Sequence, residues 1–269
     1  MRWLGPLLAA PLLLAACSAA DPDPAPSPVA AQVPIGTAAD AGEKPDLLLF
    51  TSLPIYWPEG GVGDLLSSGA EKHWARTALE TRYALRPVDA LTALPTQSGT
   101  LVMAQPRALS PAENVALDDF VRGGGRVLLI ADPMLDVHSS YGLGDKRRPA
   151  AIAMLSPILA RWGLKLVVDE REGYVANWNS RAFRVEEGGL FALTGGGHES
   201  RCDISGKGLF ARCHVGKGEV MLLADATFLA DTGHDAGENA GGDHLGRDHA
   251  GLGGEALLLD LVAAARTAP

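Results

Sequence analysis

Residues 232–251 read TGHDAGENAGGDHLGRDHAG, and from His234 to His249 they gather three histidines, three aspartates and one glutamate. Imidazole and carboxylate are the usual ligands of zinc and related divalent ions. Asp243-His244 and Asp248-His249 repeat at a five-residue spacing, with His234 ahead of them. A working metal site holds three or four such groups in fixed geometry and orients them with a second set of partners. Here six glycines lie between 233 and 251, and the paired-histidine patterns of a metal-binding helix are absent. Two readings stand: a solvated connector, which is the expectation, or a divalent-metal site built from His234, Asp243, His244, Asp248 and His249.

Other candidates sit where apolar runs stop. Four such runs end in Ser52-Leu53-Pro54, Ala104-Gln105-Pro106, Ala131-Asp132-Pro133 and Ala224-Asp225-Ala226. In an open parallel sheet, ligands bind at the carboxyl ends of the strands. Ser52, Gln105, Asp132 and Asp225 therefore form a candidate ligand rim, with Tyr56 and Trp57 of SLPIYWPEGG beside them; packing of those two aromatics under a loop is the alternative. Nucleophilic chemistry finds little support. No G-x-S-x-G is present, and Ser139-Ser140 near His138 and Asp132 show only sequence proximity, which is not triad geometry. Gly123–Gly125 stop a helix before a strand, the reverse of a phosphate cradle. No cofactor is expected.

The elements that must position these residues alternate. DLLLFTSLP, GTLVMAQP, RVLLIADP and GEVMLLADATFL read as strands buried on both faces. GAEKHWARTALETRY, LSPAENVALDDFVRGGG, PAAIAMLSPILARWG and GLGGEALLLDLVAAAR read as helices, and LKLVVD as a further strand. In the second helix Ser110 is placed to cap, Pro111 to open the first turn and Glu113 to complete a capping box. Such alternation predicts one α/β domain over 45–269, three-layered, with a mostly parallel sheet. From about 173 to 215 the runs become short and glycine-punctuated, predicting an antiparallel edge or a β-rich hairpin insert.

The first residues give the compartment. Arg2 precedes an apolar stretch too short to span a bilayer, and it closes on Leu14-Ala15-Ala16-Cys17, which resembles the lipobox of bacterial lipoproteins. The resemblance implies cleavage of 1–16 and acylation of Cys17, so the lipid anchor becomes the membrane partner. Ser18 in place of the aspartate that favours inner-membrane retention implies the outer membrane, facing the periplasm. Residues 17–44, rich in Ala, Pro and Asp, read as a disordered tether. The formal net charge of −9 argues against nucleic acid, which calls for a basic footprint.

Cys202 and Cys213 remain. They flank Gly206-Lys207-Gly208 in two strand-like runs, and a two-residue turn there sets them opposite one another. In an oxidising periplasm that predicts a disulfide, with two buried free thiols as the alternative. One reservation attaches to this register: it makes the cysteines a hydrogen-bonded pair, whose side chains stand farther apart, unless a bulge or longer loop intervenes.

Two stretches carry a wider resemblance. Leu109, Glu113, Leu117, Phe120, Val121, Gly123 and Gly124, then Asp132-Pro133, make one pattern; Gly216, Gly218, Val220, Asp225 and Phe228 make another. Together they resemble bacterial proteins with a class I glutamine-amidotransferase-like domain, of the gliding-motility type that assists ABC transporters. The resemblance implies a flavodoxin/amidotransferase-like fold and an ABC-transporter or other envelope-protein partner. It does not imply amidotransferase chemistry, which needs a cysteine nucleophile on a strained strand-to-helix turn; the corresponding strand here is read as ending in Asp132-Pro133. The sequence therefore predicts a non-catalytic binding or scaffolding lipoprotein. The alternative is a periplasmic metal-dependent hydrolase using the strand-end aspartates and the His/Asp loop.

Overall fold

The computed structural model describes residues 44–60, 72–95, 99–171, 173–186, 188–230 and 253–267, all within the compact unit Ala41–Pro269. Cys17, the tether and the His/Asp stretch from His234 to His249 lie outside the described residues.

Strands buried on both faces build the centre. β1 (Asp46–Thr51), β2 (Ala84–Pro87), β3 (Thr100–Ala104), β4 (Arg126–Ile130) and β11 (Gly218–Leu223) run parallel in the order β2-β1-β3-β4-β11. Every residue of β3 and β11 is buried, as a strand sandwiched between helix layers requires. β10 (Phe210–Val215) and β9 (Ser200–Ser205) continue the same sheet antiparallel beyond β11. The order changes direction between β1 and β3, because β1 leads outward to β2 while β3 leads inward to β4. With right-handed crossovers, α1 (Trp74–Arg82) and α2 (Pro111–Arg122) fall on opposite faces. α4 (Glu255–Thr267) packs against α1, and α3 (Ser156–Trp162) against α2.

α2 forms as its sequence dictates. Ser110 Oγ accepts from the Glu113 amide at 3.3 Å, and the Glu113 carboxylate accepts from the Ser110 amide at 2.9 Å. Arg107 adds an ion pair to Glu113 at 2.7 Å. Hydrogen bonds from Arg107 come first, and with those from the amides of Ser110 and Leu91 they hold the Glu113 carboxyl down at about 2 against the opposing effect of burial. Leu117, Phe120 and Val121 meet the sheet. A β-carbon on Gly218 would stand 2.1 Å from the Val121 carbonyl oxygen, so only glycine lets β11 enter beneath the end of this helix.

Two expectations need correction. The helix read over PAAIAMLSPILARWG is confined to Ser156–Trp162. The residues before it are irregular and bond to the segment after β4, with the Leu135 amide donating to Ala151 O at 2.8 Å and the Ala153 amide to Asp132 O at 3.1 Å. Pro157, in the first turn, fixes the late start. The strand β5 (Leu164–Val168) does not join the parallel sheet. It pairs antiparallel with β8 (Gly189–Leu193) in a separate ribbon, consistent with Val167 and Val168 being exposed. The β-rich stretch is antiparallel, as the sequence predicts: β6 (Tyr174–Trp178) and β7 (Arg181–Val185) form a hairpin, while β9 and β10 extend the main sheet at its edge.

The cysteines pair as their register predicts. Cys202 faces Cys213 across β9 and β10, and a disulfide joins them. Their Cα atoms are 4.0 Å apart, the close spacing of a non-hydrogen-bonded pair. The connection is longer than two residues, running from Gly206 to Leu209 between the paired Ser205 and Phe210. That longer loop removes the steric reservation.

Candidate functional site

The four strand ends converge. Thr51, Ala104, Ile130 and Leu223 form one row across β1, β3, β4 and β11, so Ser52 and Gln105 stand one residue beyond it and Asp132 and Asp225 two. In this strand order the crevice opens where the sheet changes direction, between β1 and β3. Ser52 and Gln105 occupy that place.

The chain itself fills the crevice. Ser52 Oγ donates to the Gln105 carbonyl at 2.5 Å and accepts the Ala150 amide at 2.9 Å. The Gln105 side-chain amide donates to Ala150 O at 2.8 Å and Asp132 O at 3.1 Å, and its oxygen accepts the Asp132 amide at 2.7 Å. Gln105 is fully buried and has φ +40°, a conformation that non-glycine residues adopt only when the surroundings enforce it. Among the four strand ends of the rim, the backbone strain is at Gln105. An amide there is no nucleophile. Its work is to pin the segment around Ala150 across the switch point.

Asp132 and Asp225 are also fully buried. Each folds back on its own chain: Asp132 Oδ1 accepts from the Met134 amide at 2.8 Å, and Asp225 Oδ1 from the Thr227 amide at 2.9 Å. The second oxygen of Asp225 meets no hydrogen-bond donor among the described residues. Burial pushes the Asp225 carboxyl up to about 7 against the bond from Thr227, and the charges of Asp132 and Glu186 add to the rise. At neutral pH the Asp225 carboxyl thus stands near the midpoint of its titration. Tyr174 lies near enough to Asp225 to feel its charge; burial first, with the Asp225 and Asp169 charges contributing, raises the phenol despite Arg171.

Tyr56 and Trp57 lie in the segment after β1. The Arg76 guanidinium covers the Tyr56 ring at 4.1 Å, and Arg76 Nη1 donates to Tyr56 O at 2.8 Å. Trp57 meets Tyr56 edge-on at 4.9 Å and is 62% exposed, which leaves one aromatic face to solvent. Sequence reasoning missed Glu59. It accepts from Ser139 Oγ at 2.6 Å, Ser140 N at 2.7 Å and Ser140 Oγ at 2.8 Å, which clasps the loop after β1 to the loop after β4. Burial works to raise the Glu59 carboxyl, but these bonds and the charge of Arg148 leave it lowered. Ser139 and Ser140 are thereby committed to Glu59 rather than to His138. Trp178 packs on Phe210 at 4.9 Å rather than only across its own hairpin.

Among the described residues, no group of three or more His, Cys, Asp and Glu is placed to hold a metal. No helix among them is long and apolar enough to cross a membrane.

An open α/β sheet with a filled switch point and an antiparallel extension defines the class. Within that class the particular family follows from comparison: residues 44–186 match the family described as ABC-type uncharacterized transport system, and the chain belongs to it. No curated protein matches the chain. Among solved structures it is similar to an exo-β-1,4-mannosidase from Opitutaceae bacterium strain TAV5, at 13% identity over 69% of this chain and 32% of that one, with TM-score 0.41. A cold-adapted β-galactosidase from Rahnella sp. R3 gives 14% identity, 71% and 30% coverage and TM-score 0.40. A ThuA-like protein from Parabacteroides merdae gives 12% identity, 84% and 91% coverage and TM-score 0.36. The chain spans about a third of the length of the two glycosidases.

Proposed function

We propose that the protein is a lipid-anchored, non-catalytic binding or scaffolding component of an ABC-type transport system, held at the outer membrane through Cys17 and facing the periplasm. The observation that carries the non-catalytic reading is the Ser52–Gln105–Ala150 plug. It occupies the position where this strand order opens a ligand crevice, and its strained residue is an amide. Membership of the transport-system family supports the partner, and the lipobox-like Leu14–Cys17 supports the anchor. With the crevice closed, recognition falls to the rim loops, where Trp57 and the clasped Glu59–Ser140 segment present a firm surface.

Two measurements test this. Replacing Cys17 with serine should move the protein from membranes to the soluble envelope fraction; retention in high salt would place the anchor elsewhere. Cross-linking in native membranes followed by affinity capture should recover subunits of an ABC transporter. Recovery of none, from cells where both are expressed, would remove the transport role. In this proposal the His/Asp stretch is a connector, so changing His234, His244 and His249 together to glutamine should leave melting temperature and transport unchanged. A zinc-induced rise in melting temperature, lost in that triple variant, would make it a metal site instead.

A further inference from the structure

The seven-stranded sheet ends in an open edge. β9 pairs with β10 on one side and with no other strand among the described residues. Natural sheets blunt such edges with proline, a bulge or charge that repels a second strand. β9 has no proline, and its register with β10 is unbroken from Ser205–Phe210 to Ser200–Val215. Arg201, Asp203 and Ser205 alternate along its exposed side. The two charges are opposite in sign, and neither makes an ion pair among the described residues. The neighbour of Asp203 across the sheet, Arg212, is taken by Glu219 at 2.9 Å.

We infer that β9 is a self-association edge, on which a second copy of this chain adds its own β9 antiparallel about a twofold axis at Cys202. The register follows from symmetry and charge. A twofold axis perpendicular to the sheet keeps outward side chains outward, so residues that face each other must share parity along the strand. Centring on Arg201 sets arginine against arginine, and centring on Asp203 sets aspartate against aspartate; like charges directly opposite destabilise a strand pair. Centring on Cys202 sets Arg201 against Asp203 of the second copy, and symmetry repeats the pair. Ser200 then faces Ile204. This register gives both charges an opposite partner, joins the two sheets into one and satisfies the outward backbone groups of β9.

The test is charge reversal on the full-length chain purified in detergent, with protein mass read by sedimentation across a dilution series. The unmodified chain should reach twice the protomer mass. Arg201→Asp and Asp203→Arg each create two like-charge contacts per dimer, and each should weaken association by roughly tenfold or more. The double variant, carrying both reversals, restores both pairs and should associate like the unmodified chain. Both residues are exposed, and unchanged melting temperatures will show that the single variants fold; the double variant reads the register even if one does not. A monomer at every concentration overturns the inference, as does a dimer indifferent to either reversal or not rescued by the double variant.

Discussion

Asp132 and Asp225 stand at the same level of neighbouring parallel strands, each bent back onto the amide two residues ahead and neither exposed to solvent. Burial disfavours the charged form of Asp225, and the charge of Asp132 adds to that cost. The proton rests on Asp225, whose carboxyl titrates at about 7.

The stability consequence has a definite sign. The folded pKa lies above the unfolded value of about 3.9, so the folded state binds the proton more tightly. Stability from this corner is full below about pH 4, falls as pH rises and is gone above about 7, at up to roughly 1.4 kcal/mol per pH unit. Glu113, held at about 2, acts oppositely: its contribution is lost only as pH falls from its unfolded value through about 2, outside this window. Asp225→Asn keeps the acceptor for Thr227 and should flatten the slope between about pH 5 and 7. Urea unfolding across that range is the measurement; an unchanged slope in the variant places the proton elsewhere.

Gln105 offers a ranking. Gln105→Ala removes three buried hydrogen bonds and keeps a β-carbon at φ +40°, which should cost about 3 kcal/mol or more. Gln105→Gly loses the same bonds but relieves the backbone by about 1 kcal/mol. Glycine should therefore be the milder change although it removes more atoms. Chemical denaturation of both variants decides, and the reverse order would mean that φ is not strained in solution.

Asp118 ties α2 to α3. Its carboxylate accepts from Arg122 Nε at 2.8 Å, Arg161 Nε at 2.5 Å and Trp162 Nε1 at 3.0 Å, and these bonds outweigh burial in keeping it ionised. Asp118→Ala leaves the buried Trp162 indole without its acceptor and Arg122 without its Nε partner, while the exposed Arg161 turns to water, and it should cost about 2–3 kcal/mol. Asp118→Asn keeps an acceptor and should cost less. Equal losses in the two variants would show that the bonds themselves contribute little.

The Cys202–Cys213 link closes a short loop, so its loss should cost about 2–3 kcal/mol without abolishing the fold. Alkylation of the denatured, unreduced protein should label neither cysteine, and labelling of both would refute the link. Melting of Cys202→Ser/Cys213→Ser gives the magnitude.

Most of the sheet was legible because its strands are apolar on both faces and end in Pro, Gly or Asp. α2 was legible down to its cap, since Ser110, Pro111 and Glu113 write their roles at fixed offsets. The fate of 149–155 was not, because its alanines and Ile152 suit a helix equally well; tertiary bonds to Ser52, Asp132 and Leu135 decide against one. The convergence of Ser52, Gln105, Asp132 and Asp225 could be read from strand ends. That their polar groups turn inward could not, because Ala150 reaches them through its backbone, which carries no sequence signal. Glu59 looked like any loop acid until the fold brought Ser139 and Ser140 beside it.

β11 enters the sheet between β4 and β10, although β9 and β10 precede it in the chain. Among the described residues, the last strand to be made is thus an interior one. Until residues 218–223 arrive, β4 lacks one neighbour and the β9–β10 hairpin has no sheet to join. A chain emerging amino end first therefore stays unfinished for most of its synthesis, and pairings distant in sequence are slow to form. Under the export proposed above, that lateness is an advantage: a chain that cannot close before residue 218 stays fit for threading, and truncation before Gly218 should leave one that never closes.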